Sequence, residues 1–262
     1  MERHAALYDL FWENSKLGPR TVQAFRRRLE EHAVAHDVAD ALVYPSVDVP
    51  LARARDGLAR LSQRRRSARA FSEAPLPLRR LGRALSEFAE NTAGRRSIPS
   101  AGALYPVEIF CLLERVSDGP GRVAVHYNPD NHSFCVIRPL PDPQAYRNAL
   151  NLDGFAGEPQ AVVVFVLFPD RTTAKYGERG GRFALIEVGH AAQSFALRLA
   201  RERLIGCEVG GLLDDEIIRI LDLEETGAQV ALGYACGLLA KARFRENRLV
   251  TGRLHRLLAG SG

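Results

Sequence analysis

Residues 161–168 constrain the fold more than any other part of the sequence. They read A-V-V-V-F-V-L-F, with no polar residue and with valine at half of the positions. A short apolar run rich in β-branched residues is typical of a strand that is buried on both faces. Such a strand needs a covering layer on each side of its sheet, so the run predicts helices packed around a central sheet.

The remaining periodic segments supply further strands and the covering helices. Strand character is found in segments 107–114, 123–127, 134–137, 206–211 and 229–237, and helical spacing of apolar residues in segments 78–89, 183–204 and 214–221. Segment 183–204 is apolar on most of its circumference, so both of its sides must be covered, by the core or by a second subunit. We therefore expect an α+β protein with a mixed sheet flanked by helices, which works as a homodimer.

The chain is expected to have a small extension and one main domain. Residues 1–60 are predicted to be a helical N-terminal extension, with prolines Pro45 and Pro50 marking an extended connector, and residues 61–262 to be the main domain. No apolar stretch approaches the roughly 20 residues of a membrane helix, and no apolar signal core follows the N-terminus. These features predict a cytoplasmic protein without a membrane partner.

Cysteines and charges exclude several classes of protein. The four cysteines are far apart and lie in or beside apolar sequence, which favours buried reduced thiols over a disulfide framework or a metal site. They are Cys111, Cys135, Cys207 and Cys236. The net charge is +5, but most arginines are interspersed with acidic residues, as on solvated helix faces, so no nucleic-acid partner is expected.

One basic cluster is denser than the others. Arg65, Arg66, Ser67 and Arg69 combine guanidinium groups with a hydroxyl, a donor set that suits a phosphate. A solvated basic face or linker would have the same composition. The cluster alone therefore leaves both interpretations open.

A second candidate is a loop of small residues between two prolines. Pro99, Ser100, Ala101 and Gly102 would let the backbone lie against a flat ligand, and Gly102 would permit a close approach or a positive φ. An ordinary turn before a strand would also explain the glycine and the prolines. It would not explain the length of the small-residue run.

Several segments together resemble a known family. Residues 65–71 read R-R-S-A-R-A-F, residues 95–108 read R-R-S-I-P-S-A-G-A-L-Y-P-V-E, and residues 179–190, after Lys175 and Tyr176, read R-G-G-R-F-A-L-I-E-V-G-H. In this order they resemble the nitroreductase superfamily, and within it the SagB-type dehydrogenases that mature thiazole- and oxazole-containing peptides. Residues 11–17, F-W-E-N-S-K-L, are similar to the N-terminal element of that branch. The resemblance implies a nitroreductase-like FMN-binding fold.

The resemblance also implies roles for particular residues around an FMN cofactor. Arg65, Arg66, Ser67 and Arg69 would hold the phosphate and ribityl chain, with Arg69 nearest the flavin pyrimidine edge. The loop from Pro99 to Gly102 would line the flavin ring, reaching across from the second subunit. Further contacts would come from Val209, Gly210 and Gly211, whose backbone would face flavin N5 and O4, and from Lys241 and Arg243 at the phosphate. A surface basic pair is an equal interpretation of Lys241 and Arg243.

The resemblance assigns catalysis to Lys175 and Tyr176. Oxidising an azoline to an azole removes a proton from Cα and a hydride from Cβ, so a lysine base and a tyrosine that orients or relays the proton fit this chemistry. The alternative is that Lys175 is an exposed loop lysine and Tyr176 a packing residue. One departure concerns Gly181, where family members commonly have an aromatic residue, and it bears on the shape of the substrate pocket.

The expected activity is oxidation of thiazoline or oxazoline rings in a peptide or peptide-like substrate, with oxygen as the terminal acceptor. A cyclodehydratase or a peptide synthetase is the expected partner. Two alternatives remain, an NAD(P)H-dependent nitro or quinone reductase, and a non-catalytic flavin-binding subunit of a synthetase complex.

Overall fold

The protein is described from a computed structural model, which describes residues 5–31 and 51–240. The strands are β1 Leu76–Pro77, β2 Val107–Leu113, β3 Val116–Ser117, β4 Val123–Asn128, β5 Ser133–Pro139, β6 Ala161–Leu167, β7 Ile205–Val209 and β8 Gln229–Gly237. The α-helices are α1 Ala6–Ser15, α2 Val22–Glu31, α3 Gly57–Arg64, α4 Leu78–Leu85, α5 Pro143–Leu150, α6 Asp170–Tyr176, α7 Glu178–Arg201 and α8 Asp214–Ile220.

Six of these strands form the main sheet in the order β5-β4-β2-β6-β8-β7. Each neighbouring pair in this order is antiparallel. Among the described residues, parallel pairing is confined to the small sheet of β1 and β3 and to single bridges, one of which joins Ser67 to Gly206 at the β7 edge. The predicted α+β class is therefore confirmed, and the mixed character of the sheet comes from these short parallel contacts.

The central strand β6 is buried on both faces, as its sequence predicts. All seven of its residues have 0% exposure. Ala161, Val163, Phe165 and Leu167 face a core cluster shared with α1, α4 and α7, whereas Val162, Val164 and Val166 face a second cluster shared with α5 and α8. Alternate side chains of a strand point to opposite faces, so this one strand holds two helical layers together.

Helix α7 begins earlier than the sequence predicts. Helical spacing in the sequence covers residues 183–204, yet α7 already starts at Glu178. Only Gly177, with a φ of +57°, separates it from α6. Both Gly180 and Gly181 lie in this helix, and close packing requires glycine at these two positions. A Cβ at position 180 would lie 2.7 Å from the Thr172 backbone, and a Cβ at position 181 would lie 2.2 Å from the Tyr8 ring.

The N-terminal helix α1 packs into the main core, since Ala5, Tyr8 and Trp12 belong to the same buried cluster as β6. The prediction of four buried cysteines is wrong for Cys135. That residue is exposed because β5 has only one neighbouring strand among the described residues. No helix in residues 5–31 and 51–240 is long and apolar enough to cross a membrane.

Candidate active site

The basic cluster lines a cavity of about 730 Å³. Arg65, Arg66, Ser67 and Arg69 all contribute to its wall, opposite residues from the C-terminal half of α7 and the start of β7. Local structure explains the placement. Asp56 caps α3 by accepting a hydrogen bond from the Ala59 amide at 2.8 Å. The helix ends before the cluster, and the chain then docks on β7 through the Ala68 amide, which donates to the Gly206 carbonyl at 3.0 Å.

The cavity is strongly positive. Among the described residues, none of the arginines at positions 64, 65, 66 and 69 forms an ion pair with a carboxylate. Burial raises the pKa of the neighbouring Cys207 thiol, and the Arg69 and Arg65 guanidinium groups act in the opposite direction. Uncompensated guanidinium groups beside a hydroxyl form a site suited to a phosphate dianion.

The small-residue loop meets the predicted catalytic pair within one chain. Gly102 has a φ of +64°, inside a short 3₁₀ turn, Ala101–Ala103. A Cβ at this position would lie 2.7 Å from the Tyr176 hydroxyl oxygen and 3.0 Å from Lys175 Nζ. The positive φ is one of the two alternatives predicted for Gly102, and its approach to a flat ligand stays a prediction. Lys175 is exposed and Tyr176 half-buried in the single chain.

Tyr105 anchors this loop and was not singled out by the sequence. Its amide donates to Ser100 Oγ at 2.9 Å, its carbonyl accepts from Arg171 Nη1 at 2.8 Å, and its hydroxyl accepts from the Arg96 amide at 3.2 Å. The φ of Tyr105 is +44°, an uncommon value for a residue other than glycine. Such strain persists only where surrounding contacts over-determine it, and these three hydrogen bonds do so.

Arg171 ties the loop to the helix that carries the catalytic pair. It lies four residues before Lys175 on α6, and its Nη1 also reaches Glu108 Oε1 at 2.6 Å. Glu108 is in turn 3.1 Å from His126 Nε2. Burial raises the pKa of Glu108, but His126 and Arg171 outweigh it and hold this pKa below its usual value. Glu108 therefore remains an anion that fixes Arg171.

A buried carboxyl lies beneath the same loop. Glu187 of α7 is only 4% exposed, and its Oε2 has no hydrogen-bond partner among the described residues. Burial raises the pKa of Glu187, while interactions with the Ser100 hydroxyl and the Val107 backbone oppose the rise. The loop is thus supported from below by the carboxyl group of Glu187.

The third predicted contact segment adjoins a smaller pocket. Val209, the last residue of β7, and Gly210 line a pocket of about 210 Å³, whose opposite wall comes from α1 and Leu185. Gly211 follows them but does not line it. Val209 lies three residues beyond Gly206 of the cationic cavity, about 10 Å along an extended strand. Lys241 and Arg243 lie outside the described residues.

The predicted residues therefore form separate groups. The cationic cavity adjoins the C-terminal half of α7, where Leu199 lines it. The group around Gly102, Lys175 and Tyr176 adjoins the N-terminal end of α7. Between Glu187, beneath the loop, and Leu199 the helix advances about 18 Å. One chain thus brings the loop to Lys175 and Tyr176 but does not bring either of them to the cationic cavity.

The chain folds as an α+β protein, and its arginine-lined cavity carries donors of a kind that suits a phosphate. The chain belongs to the nitroreductase family, whose model matches residues 63–238. Proteins of this family are oxidoreductases and generally bind FMN. The family membership expected from the sequence is confirmed.

Two relatives illustrate the range of the family. The predicted nitroreductase MJ1384 of Methanocaldococcus jannaschii is 34% identical over 166 residues, which cover 62% of this chain and 82% of that protein. The microcin B17-processing protein McbC of Escherichia coli is 28% identical over 135 residues, which span half of each chain. The similarity to McbC supports the SagB-type branch.

Solved structures show the same fold. A chain of the E. coli microcin synthetase McbBCD complex with truncated pro-MccB17 bound has a TM-score of 0.63 at 19% identity, covering 87% of this chain and 96% of that one. A nitroreductase-like protein from Ralstonia eutropha has a TM-score of 0.59 at 20% identity, covering 74% and 89%.

Proposed function

We propose that this protein is an FMN-dependent dehydrogenase that oxidises thiazoline or oxazoline rings to azoles in a peptide or peptide-like substrate. The observation that carries the proposal is the contact of Gly102 with Lys175 and Tyr176. It joins the small-residue loop to a base and a phenol, a combination that simple reduction of a nitro group or quinone does not need. The similarity to McbC, a microcin B17-processing protein, supports the substrate class.

The residues of the cationic cavity fit FMN. Arg65, Arg66, Ser67 and Arg69 line the cavity, and in the described part of the chain none of these three arginines forms an ion pair with a carboxylate, which leaves their charge for the phosphate of FMN. The strand from Gly206 to Val209 then leads toward the segment proposed to face the flavin ring. Bound FMN would supply the two-electron acceptor for the hydride, with oxygen as the terminal acceptor.

Lys175 and Tyr176 would carry the proton transfer. Lys175 Nζ lies 5.2 Å from the centre of the Tyr176 ring, and both polar groups point to the same space beside Gly102. Lys175, in its neutral form, would take the proton from the substrate Cα as the hydride leaves Cβ. Tyr176, steadied by an edge-on contact with Phe183 at 5.2 Å, would orient the ring or relay the proton.

The complete site would require two copies of the chain. Helix α7 has an exposed side in the single chain, and Leu185, Ile186, Gly189, His190 and Gln193 form the stripe in the middle of it. If two copies pack these stripes together about a twofold axis across the helices, the helices run antiparallel. The loop and catalytic pair at the start of one α7 then approach the phosphate cavity at the end of the other. A homodimer would thereby unite the two groups of residues.

The dimer can be tested by charge substitution on its proposed face. Ile186 is 55% exposed in the single chain, so Ile186→Arg should fold normally yet give a monomer with weakened FMN binding. Val136 on β5 is 57% exposed, and Val136→Arg is the matched control, expected to stay dimeric. Light scattering measures the mass of each protein in solution, and a flavin fluorescence titration measures its affinity for FMN. A monomeric Ile186→Arg protein with unchanged FMN affinity would contradict the proposed shared site.

The catalytic assignment is tested with a synthetic peptide that carries a thiazoline. Lys175→Ala and Tyr176→Phe should retain FMN, measured by absorbance, but oxidise the thiazoline roughly 10² to 10⁴ times more slowly, the usual loss for a general acid or base. Quinone reduction by NAD(P)H should survive in both variants. Undiminished thiazoline oxidation in both would refute the assignment. If the wild type reduces quinones but never oxidises thiazolines, the reductase alternative holds.

The proposal extends to partners. The McbBCD complex contains a neighbour with this fold together with a peptide precursor. We therefore propose a cyclodehydratase or a peptide synthetase as the source of the azoline, within a complex or in the same cytoplasm.

A further inference from the structure

Helix α1 is built into the mouth of the site, although the family match begins only at residue 63. Its first turn is capped by Glu178, directly after the catalytic pair: the amides of Leu7 and Tyr8 donate to Glu178 Oε1 and Oε2 at 3.0 and 2.9 Å. A side chain from α7 thus supplies the cap that α1 lacks in its own sequence. The start of α1 is thereby fixed next to Lys175 and Tyr176.

Helix α1 packs against α7 at Gly181. The Tyr8 ring lies where a side chain at position 181 would be, since a Cβ there would lie 2.2 Å from Tyr8 Cδ2. The Tyr8 hydroxyl donates to Gln229 Oε1 at 2.9 Å, which fixes the ring from its other end. Gly181, the departure noted in the sequence, is therefore a socket for an aromatic ring that comes from another helix.

The far end of α1 reaches the segment proposed to face the flavin. Phe11 is 56% exposed, yet it lines the pocket of about 210 Å³ whose opposite wall is Val209 and Gly210. Asp214 holds the chain just after α1, because its Oδ2 accepts the Leu17 amide at 3.0 Å. The pocket is smaller than the roughly 300–1,000 Å³ that enclose a drug-sized ligand, so it suits a single ring.

We infer that Phe11 is a specificity residue that stacks on the ring of the substrate, and that Tyr8 on Gly181 is the positioning contact that holds Phe11 there. The inference rests on the proposed function in one respect, the place of the flavin beside Val209 and Gly210. The ligand class is an unsaturated five- or six-membered ring carrying an amide, as in a peptide azole.

Ring binding is measured by titration calorimetry with two probes, thiazole-4-carboxamide and benzamide, on the protein with and without FMN. In Phe11→Ala the dissociation constant of the probe should rise about three- to tenfold, the worth of one aromatic contact. Leu10→Ala is the matched control, because Leu10 is 60% exposed on the same helix but does not line the pocket. It should bind as the wild type does.

A second pair of variants tests the socket. Gly181→Ala would displace the Tyr8 ring and should weaken binding of the probe as much as Phe11→Ala does. Gly82→Ala is the control, because Gly82 is a helical glycine with nothing within 4 Å of the new Cβ, and it should leave probe binding unchanged. Tyr8→Phe keeps the ring on Gly181 but loses the hydrogen bond to Gln229, so it should weaken probe binding less than Gly181→Ala does. Circular dichroism and FMN absorbance report folding and flavin content separately.

The outcomes are distinguishable. Unchanged probe affinity in Phe11→Ala, no probe binding to the wild type, or a monomeric Phe11→Ala protein would each overturn the inference, the last by making Phe11 a subunit contact. If benzamide binds through Phe11 but the thiazole does not, the specificity role stands and the azole substrate proposed above fails.

Discussion

Asp214 offers a stability test whose size follows from its surroundings. It is the first residue of α8, its carboxylate accepts the Leu17 amide, and its own amide donates to the Leu17 carbonyl at 3.2 Å. Burial raises the pKa of Asp214 to about 6 despite this hydrogen bond and nearby Lys16. In the unfolded chain the pKa of an aspartate is about 3.9.

The sign follows from this difference. Because folding raises the pKa of Asp214, its contribution to stability is fully present below about pH 4 and is lost as the pH rises through about 6. A shift of about two pKa units corresponds to roughly 2 to 3 kcal/mol. Asp214→Asn keeps an oxygen that accepts the Leu17 amide but cannot ionise. Its free energy of unfolding, relative to the wild type, should therefore increase by that amount between pH 4 and pH 7.5.

The assay is urea unfolding at several pH values, with FMN at one saturating concentration throughout because a ligand itself stabilises the folded state. Asp215→Asn is the matched control, since it removes a 71% exposed carboxylate from the next position. A difference between Asp214→Asn and the wild type that stays constant over this range, or falls with rising pH, would refute the reasoning.

Two further variants test the core and the cofactor site. Gln160 is fully buried, and its amide group hydrogen-bonds two backbone carbonyls and the Leu238 amide. Gln160→Leu should therefore lower the free energy of unfolding, measured by urea denaturation, by about 3 to 5 kcal/mol. A loss below about 1 kcal/mol would contradict these hydrogen bonds. Arg69→Ala should raise the dissociation constant of FMN about ten- to hundredfold in a fluorescence titration, which is the effect of losing one charge-assisted hydrogen bond. Arg53→Ala, an exposed arginine outside the cavity, should leave the affinity unchanged, and equal affinities in all three proteins would show that Arg69 does not contact the phosphate.

Long apolar elements of the fold could be predicted because their signal is local. Strand β8 has the predicted bounds, Gln229–Gly237, and β6 has the predicted burial on both faces. Helices α5 and α6 were missed. Each spans fewer than nine residues, and α6 buries only Thr172 and Thr173, so no apolar periodicity marks it. Its existence depends on packing against α7, which no local pattern encodes.

The site shows the same division between local and distant signals. The grouping of Arg65, Arg66, Ser67 and Arg69 in one cavity could be predicted because they are near neighbours in the sequence, and their role at a phosphate stays a prediction. The anchoring of Tyr105 by Arg171 joins residues 66 positions apart, and neither is unusual in its own segment. An indirect signal did exist, since Arg171 lies one helical turn before Lys175, but using it required knowing that α6 is a helix.

Gly181 shows how a missing side chain can be read. From the sequence, a glycine in place of an aromatic residue predicts an altered pocket, because a large volume is absent. In the folded chain that volume is filled by Tyr8, whose ring atoms come within 2.7 Å of where a Cβ would stand. Leaving it empty would cost about 3 to 5 kcal/mol, as for truncation of a buried aromatic. A glycine at such a position is therefore evidence for a ring from elsewhere in the chain, and here it explains how the N-terminal helix packs against the start of α7.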